Sequence, residues 1–492
     1  MKREAYLGID VGGTGAKAGV IDESGRLLAI SQRPYQAQMT ADGHVEIPID
    51  IIYFAAREAA ATAIRESDTR IVALAISSQG QTFVSLDEKD EPLHPAIVWY
   101  DARAAHQARV LEESLRARRL SEPLPCVRPI ASGPKVMWLR EHFPELMSKA
   151  RRYLLLPDYF SYRLTGQAVI DPSTASTTAL YAEDAADYCA AALEAAGIRK
   201  SELAEIRPTG QPVARVVAAE AAEWGLESDT LVVTGTNDQY AGALGAGNCR
   251  PGIVSLTSGT ALALVTLTEH LPDPLPAGLL GGRFPIARYL YALAFSKTAG
   301  VVLEWFQREL SRGATLRELD AVASRVPPGS RGAIMLPHFD GMVSPVLDPE
   351  ARGGFLNLAL HHTLGDMYRA TLEALGYNID ENLALLRRSG FSVEAVRLIG
   401  GGAKSDLWAQ MIADITGLAI ERPFVTEAAV LGAAMIAAVG AGAFSSLEES
   451  SQAYYRRERV FAADMANHSV YQRLRKEYVK LYQHAYQHDM RQ

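Results

Sequence analysis

Four short stretches of this chain carry residue types that could bind and move a phosphoryl group. The first is Gly8-Ile9-Asp10-Val11-Gly12-Gly13-Thr14-Gly15-Ala16-Lys17. An apolar run ends in a carboxylate and passes into glycines, whose backbone N–H groups can approach a phosphate closely. Thr14 adds a hydroxyl donor, and Asp10 could hold Mg²⁺, directly or through water. The same residues could also form an ordinary glycine β-turn. The GxxxxGK[ST] pattern is absent, so this is not a P-loop.

The second stretch is Gly235-Thr236-Asn237-Asp238-Gln239-Tyr240. Asp238 falls where a strand should end and a helix begin, and a carboxylate there could take the proton of an attacking hydroxyl. Asn and Asp are also common helix N-caps, so capping is the plainer reading of the residue alone. Thr257-Ser258-Gly259-Thr260 offers hydroxyls and a second flexible turn. Gly400-Gly401-Gly402-Ala403-Lys404-Ser405 exposes backbone ahead of a helix N-terminus, which favours phosphate.

These residues need elements to position them. Ala5–Ile9 and Ala16–Ile21 read as strands around the first turn, and Ile253–Leu256 and Thr260–Leu267 repeat that device around the second. Helices are predicted over 47–66, 102–119, 404–416 and 427–440, from Tyr240, and over the C-terminal stretch from Val470. Ile71–Ile76, Thr82–Leu86, Leu231–Thr234 and Val396–Ile399 complete the predicted strands. Glycine and proline concentrate near 246–252, which sets the expected boundary between domains 1–248 and 249–492.

Composition bounds the class. With 492 residues, 48% apolar and 22% charged, the chain is an ordinary globular mixture long enough for more than one core. Its net charge of −8 argues against broad nucleic-acid or anionic-membrane binding. Cys126, Cys189 and Cys249 lie far apart without a CxxC pair, so neither zinc nor a disulfide framework is expected. The longest apolar run, Leu431 to Phe444, is short for a bilayer and holds three glycines. A soluble, cytoplasmic protein is expected.

The order of these pieces resembles the FGGY carbohydrate kinases over nearly the whole chain, from about Tyr6 to about Ala443. YLGIDVGGTGAKAGVID is similar to the family's first phosphate motif, and AISSQGQTFVSLDEKDEPLHPAIVWYDARA to its sugar-side segment. SGPKVMWLREHFPE keeps the Lys135 and Trp138 spacing of one signature, and LDPEARGGFLNLALHHTLGDMYRATLEAL follows the second. LLLPDYFSYRLTGQAVIDPSTAS, GGGAKSDLWAQMIADITG and EAAVLGAAMIAAVGAG match further recurrent stretches.

The resemblance implies an α/β fold of two actin-like (ribonuclease H-like) domains with an ATP and sugar cleft between them. It implies Asp238 as catalytic base, and Asp10 with Asp238 facing Mg²⁺. Gln79, Gly80, Gln81, Trp99, Asp101, Asn237 and Gln239 would line the sugar side. Gly13, Thr14, Lys17, Thr257, Gly259, Thr260, Gly300, Gly401, Gly402 and Ser405 would hold ATP. The expected partners are ATP and a small sugar or polyol, with a pentulose such as xylulose as first candidate; a homodimer is compatible, and neither nucleic acid nor membrane is expected. Kinases of erythritol, xylitol, glycerol or another ketose, and a non-catalytic sugar sensor on the same frame, are the alternatives.

The departures bear on substrate. Xylulose kinases usually carry Met-His, and glycerol kinases Arg-Glu, where this chain has Gly80-Gln81. A missing side chain at Gly80 is expected to enlarge the sugar pocket, and the Gln81 amide can both donate and accept. Tyr100 stands where several relatives carry Asn or Gln. Asn357 replaces a usual glycine, a substitution that a positive φ tolerates.

Overall fold

The computed structural model describes residues 2–118, 127–183, 185–259 and 261–487, so Cys126 lies outside the described residues. The chain opens with three antiparallel strands, β1 (Glu4–Val11), β2 (Gly15–Asp22) and β3 (Leu27–Pro34). The helix α1 (Ile49–Ser67) buries Ile49, Ile52, Tyr53, Ala56, Ala59, Ala60 and Ala63. That three-and-four spacing makes one apolar stripe, which packs on β2 and β3. Strand β4 (Arg70–Ser78) then pairs parallel to β1. Helix α2 (Ser132–His142) and the edge strand β5 (Pro212–Arg215) precede β6 (Leu231–Asn237), which is parallel to β4 and leads directly into α3 (Asp238–Gly245). The sheet order is β5-β6-β4-β1-β2-β3.

The device then recurs. Strands β7 (Gly252–Ser258), β8 (Leu262–Thr268), β9 (Leu279–Arg283) and β10 (Leu290–Ser296) are followed by α4 (Gly300–Leu310), α5 (Leu364–Arg388), β11 (Val393–Ile399), α6 (Asp406–Thr416) and β12 (Ile420–Pro423). Later come α7 (Ala428–Gly440), β13 (Arg457–Phe461) and α8 (Met465–Gln487). The second sheet runs β9-β10-β8-β7-β11-β12-β13. In both sheets an antiparallel trio, β3-β2-β1 or β10-β8-β7, is extended by two parallel strands, β4-β6 or β11-β12.

Two compact units result. The first is Met1–Cys249 with Gly282–Tyr289 and Ala428–Tyr454; the second is Arg250–Gly281, Leu290–Glu427 and Tyr455–Gln492. The first stretch ends at Cys249, and two later pieces return to the first unit. Helix α7 explains one return. A β-carbon on its Gly432 would stand 1.8 Å from the carbonyl oxygen of Ala241 in α3, and one on Gly8 of β1 would stand 2.1 Å from the carbonyl oxygen of Val430. Only small residues allow such backbone approach, so this Ala- and Gly-rich helix packs against β1 and α3.

Candidate active site

In the first unit, β1, β4 and β6 run parallel and end together. Asp10 is the register partner of Ser77, which in turn partners Thr236; Val11, Ser78 and Asn237 form the next rank. The carboxyl ends of parallel strands are where α/β sheets commonly bind ligands. Ser77 Oγ donates to Asp10 Oδ1 at 3.0 Å. On the neighbouring antiparallel strand, Lys17 stands opposite Asp10, while Gly13 is half-buried and Thr14 exposed in the intervening turn. The Tyr35 hydroxyl donates to the Gly12 carbonyl. Burial, then the charges of Asp10 and Asp238, push its phenol well above the ordinary range.

Helix α3 begins at Asp238, and its N-cap is Asn237, whose side chain accepts the N–H of Gln239 at 3.0 Å. Capping is therefore Asn237's work, and the Asp238 carboxylate is not needed for it. Burial, reinforced by the charge of Asp10, pushes Asp238 up to about 7, against donation from the backbone and side chain of Gln239. Two carboxylates that oppose each other's ionisation invite a cation or a proton. Behind them, Thr236 Oγ1 donates to the buried Asp171 at 2.9 Å, fixing the end of β6.

The sugar-side segment is built from turns. Gln79 N–H donates to Val11 C=O at 2.9 Å, and Thr82 N–H to Gly80 C=O at 2.8 Å. Gln81, at the centre of that three-residue turn, has φ 60°, a strained geometry of the kind stored at functional sites. Thr82 Oγ1 accepts the Trp99 N–H at 2.9 Å. Beneath it the fully buried Lys135 donates to the carbonyls of Val98 and Trp99 at 2.9 and 3.0 Å.

Asp101 is 2% exposed. It accepts from Val45 N, Arg103 N, Arg103 Nε and Arg103 Nη2 at 2.6 to 2.9 Å. Four donors fill a carboxylate's capacity, so Asp101 holds the Trp99–Arg103 turn in shape. The space beside Gly80 differs from expectation. A β-carbon there would lie 2.9 Å from Nδ2 of Asn237 and 3.5 Å from Oγ1 of Thr177. The missing side chain admits the Asn237 amide, so it does not simply enlarge the pocket.

The second unit gathers the other expected residues. Thr257, near the end of β7, partners Ile399 of β11, which places the glycine turn 400–402 beside Ser258. Gly300 N–H, at the start of α4, donates to Gly259 C=O at 2.8 Å. Gly400 and Gly402 are packed against Ser258, at 2.9 and 2.3 Å from a notional β-carbon, whereas Gly259 and Gly401 have nothing nearer than 4.0 Å among the described residues. Gly259 and Gly401 therefore leave open backbone that fits a nucleotide. Ser405 caps α6 by accepting Trp408 N–H at 3.0 Å and donates to Asp320 at 2.6 Å. Helix α6 accordingly starts at Asp406, after a single turn of 3₁₀ helix, and not at Lys404. Thr260 lies outside the described residues.

Among the described residues no group of three or more His, Cys, Asp and Glu could hold a metal ion. Asp10 and Asp238 form a two-carboxylate set, which fits Mg²⁺ because that ion keeps most of its ligands as water and substrate phosphate. Ser77, Tyr35, Thr82 and Thr177 were not singled out from the sequence; Ser77 was legible as the strand-end hydroxyl ahead of Gln79, while nothing local marks Tyr35. Asn357 does adopt φ 56°, and its Nδ2 donates to Gly332 C=O at 2.8 Å.

Comparison with known proteins points to one family. The N-terminal domain of the FGGY family of carbohydrate kinases matches residues 5–245, and the family's C-terminal domain matches residues 254–441. The chain is 27% identical to the xylulose kinase of Staphylococcus epidermidis over 492 residues, covering 98% of this chain and 97% of that one. It is equally 27% identical to the autoinducer-2 kinase of Salmonella typhimurium over 507 residues, covering 97% and 94%. The crystal structure of ligand-bound xylulose kinase from Lactobacillus acidophilus superposes with a TM-score of 0.87 at 24% identity, covering 99% of each chain. No helix among the described residues is long and apolar enough to cross a membrane.

Proposed function

This chain belongs to the FGGY family of carbohydrate kinases, phosphotransferases that take a sugar hydroxyl as acceptor, and on that premise we propose that it moves the γ-phosphoryl group of ATP to a small sugar, with a pentulose such as xylulose as first candidate. Asp238 is the general base in this reading. The observation that carries it is the placing of Asp10 at the end of β1 and Asp238 just past the end of β6, on either side of β4, where burial and the charge of Asp10 make Asp238 a stronger proton acceptor than an exposed carboxylate.

As the acceptor oxygen bonds to phosphorus, its proton passes to Asp238 and the bond from phosphorus to the β,γ-bridging oxygen breaks, releasing ADP. Asp10, with Asp238, would hold Mg²⁺, which when bound neutralises charge on the phosphoryl oxygens. In the first unit, Gly13 and Thr14 in the turn and Lys17 on β2 would supply donors to phosphate; in the second, Gly259 and Gly401 would offer open backbone to the nucleotide. Gln79, Gln81, Asn237 and Gln239 offer neutral amides to the sugar hydroxyls. Asp101 supports this wall through the backbone it holds.

The equal likeness to a xylulose kinase and an autoinducer-2 kinase does not select a substrate, so the choice rests on the acceptor-side residues. We place the reaction in the cytoplasm; the unpaired thiols of Cys189 and Cys249 suit a reducing compartment. The test is ADP release with ATP and Mg²⁺ across pentuloses, hexuloses, polyols and sugar acids. A strong response to a pentulose supports the reading. ATP binding without turnover on any acceptor favours a non-catalytic sugar sensor.

A further inference from the structure

Gly80 and Asn237 meet because β4 and β6 are paired, with Asn237 the register partner of Ser78. The orientation of the Asn237 amide is fixed from its oxygen end. Oδ1 accepts the Gln239 N–H at 3.0 Å as the cap of α3. Nδ2 is therefore the atom turned toward Gly80, 2.9 Å from where a β-carbon there would sit. Real β-carbons do not pack that closely on a nitrogen, so any larger residue at position 80 would drive the amide away. Asn237 is 7% exposed. Among the described residues its Nδ2 makes no hydrogen bond, yet it is not sealed from solvent as the buried amide oxygens of Gln79 and Gln239 are. A donor held in place, without a protein acceptor, stands one residue before the proposed base.

Among the described residues, the two cations beside the Trp99–Arg103 turn are already committed. Arg103, with its side chain 2% exposed, pairs with Asp101 and Glu46. Lys135 is buried and donates to two backbone carbonyls. A substrate carboxylate would meet neutral amides here.

Resting on the kinase reading above, we propose that Asn237 is a specificity-determining donor for the acceptor substrate, that Gly80 is the residue that admits it, and that the acceptor is an uncharged ketose or polyol in preference to a sugar acid. The amide donates to a hydroxyl or carbonyl oxygen of the acceptor. A residue with a side chain at position 80 would forfeit that contact, which couples the two positions.

The test compares ADP release by the full chain, as wild type, Asn237→Ser and Gly80→Ala, on matched neutral sugars, polyols and aldonates. Serine retains N-cap capacity, so Asn237→Ser withdraws the Nδ2 donor from beside Gly80, beyond the reach of the shorter hydroxyl, while keeping the helix start, and its thermal midpoint checks that it folds. The wild type should prefer a neutral acceptor to its aldonate by about tenfold or more in kcat/KM, and both variants should raise KM for the neutral acceptor about three- to tenfold, more than they lower kcat. If Gly80→Ala does not fold, Asn237→Ser alone decides. An aldonate as best acceptor, or an unchanged KM in the folded variants, would overturn this proposal alone. Silence on every acceptor would overturn the kinase reading, and this proposal with it.

Discussion

The hydroxyl of Ser77 donates to the carboxylate of Asp10 at 3.0 Å, and the two residues are register partners across the parallel strands β1 and β4. The serine therefore fixes one oxygen of that carboxylate. Ser77→Ala should leave the fold intact and lower kcat/KM about tenfold, the scale of a hydrogen bond to a charged group. Titrating Mg²⁺ at fixed ATP checks the cause, because the variant should need more of the ion. An unchanged Mg²⁺ requirement would mean that Ser77 does not orient Asp10.

Asp101 offers a sharper choice between roles. Burial alone would raise its pKa, but the hydrogen bonds from Arg103 and Val45 hold it below the usual carboxylate range. Removing one member of so buried a pair costs on the order of 3–5 kcal/mol. Asp101→Asn should therefore lower stability to denaturant strongly. A variant of normal stability that has lost sugar affinity would instead make Asp101 a direct sugar ligand.

Lys135 gives a pH signature. Burial pushes its ammonium from 10.5 down to about 7, only partly opposed by the charge of Asp101. The unfolded chain keeps that proton to higher pH, so between these values the unfolded state binds more protons and stability rises with pH. Below that window the cost of the buried charge is fully present. Relative to Lys135→Met, the wild type should gain stability from pH about 7 to about 10, measured by urea unfolding. A constant difference would mean that the folded lysine titrates normally.

Much of this was legible in the sequence for one physical reason. Apolar runs ending in glycine turns mark the buried strands β1, β6, β7 and β11, and Asp10 and Asp238 stand at two of those ends. What escaped depends on contacts distant in the chain. The space at Gly80 is occupied by a residue 157 positions later, and the return of α7 to the first unit follows from backbone contact with β1 and α3. Strand β3 was missed because its half-exposed residues show no continuous apolar run. The cap of α3 is a difference of one residue, but it separates a structural asparagine from a chemically available aspartate.

The glycine turn after β11 should divide by position. Gly402→Ala would force a β-carbon to within 2.3 Å of Ser258 Oγ, so it should lower the melting temperature. Gly401 faces open space, so Gly401→Val should melt like the wild type while losing ATP affinity in calorimetric titration. The reverse pattern would remove Gly401 from the nucleotide site.

The central claim is that Asp238 takes the acceptor's proton. Asp238→Asn keeps the side chain's size and removes its basicity. With the acceptor found in the substrate survey, its turnover should fall at least ~100-fold, the low end of general-base effects, while ATP affinity measured by calorimetry changes little. Near-normal turnover in a folded Asp238→Asn protein would contradict the account.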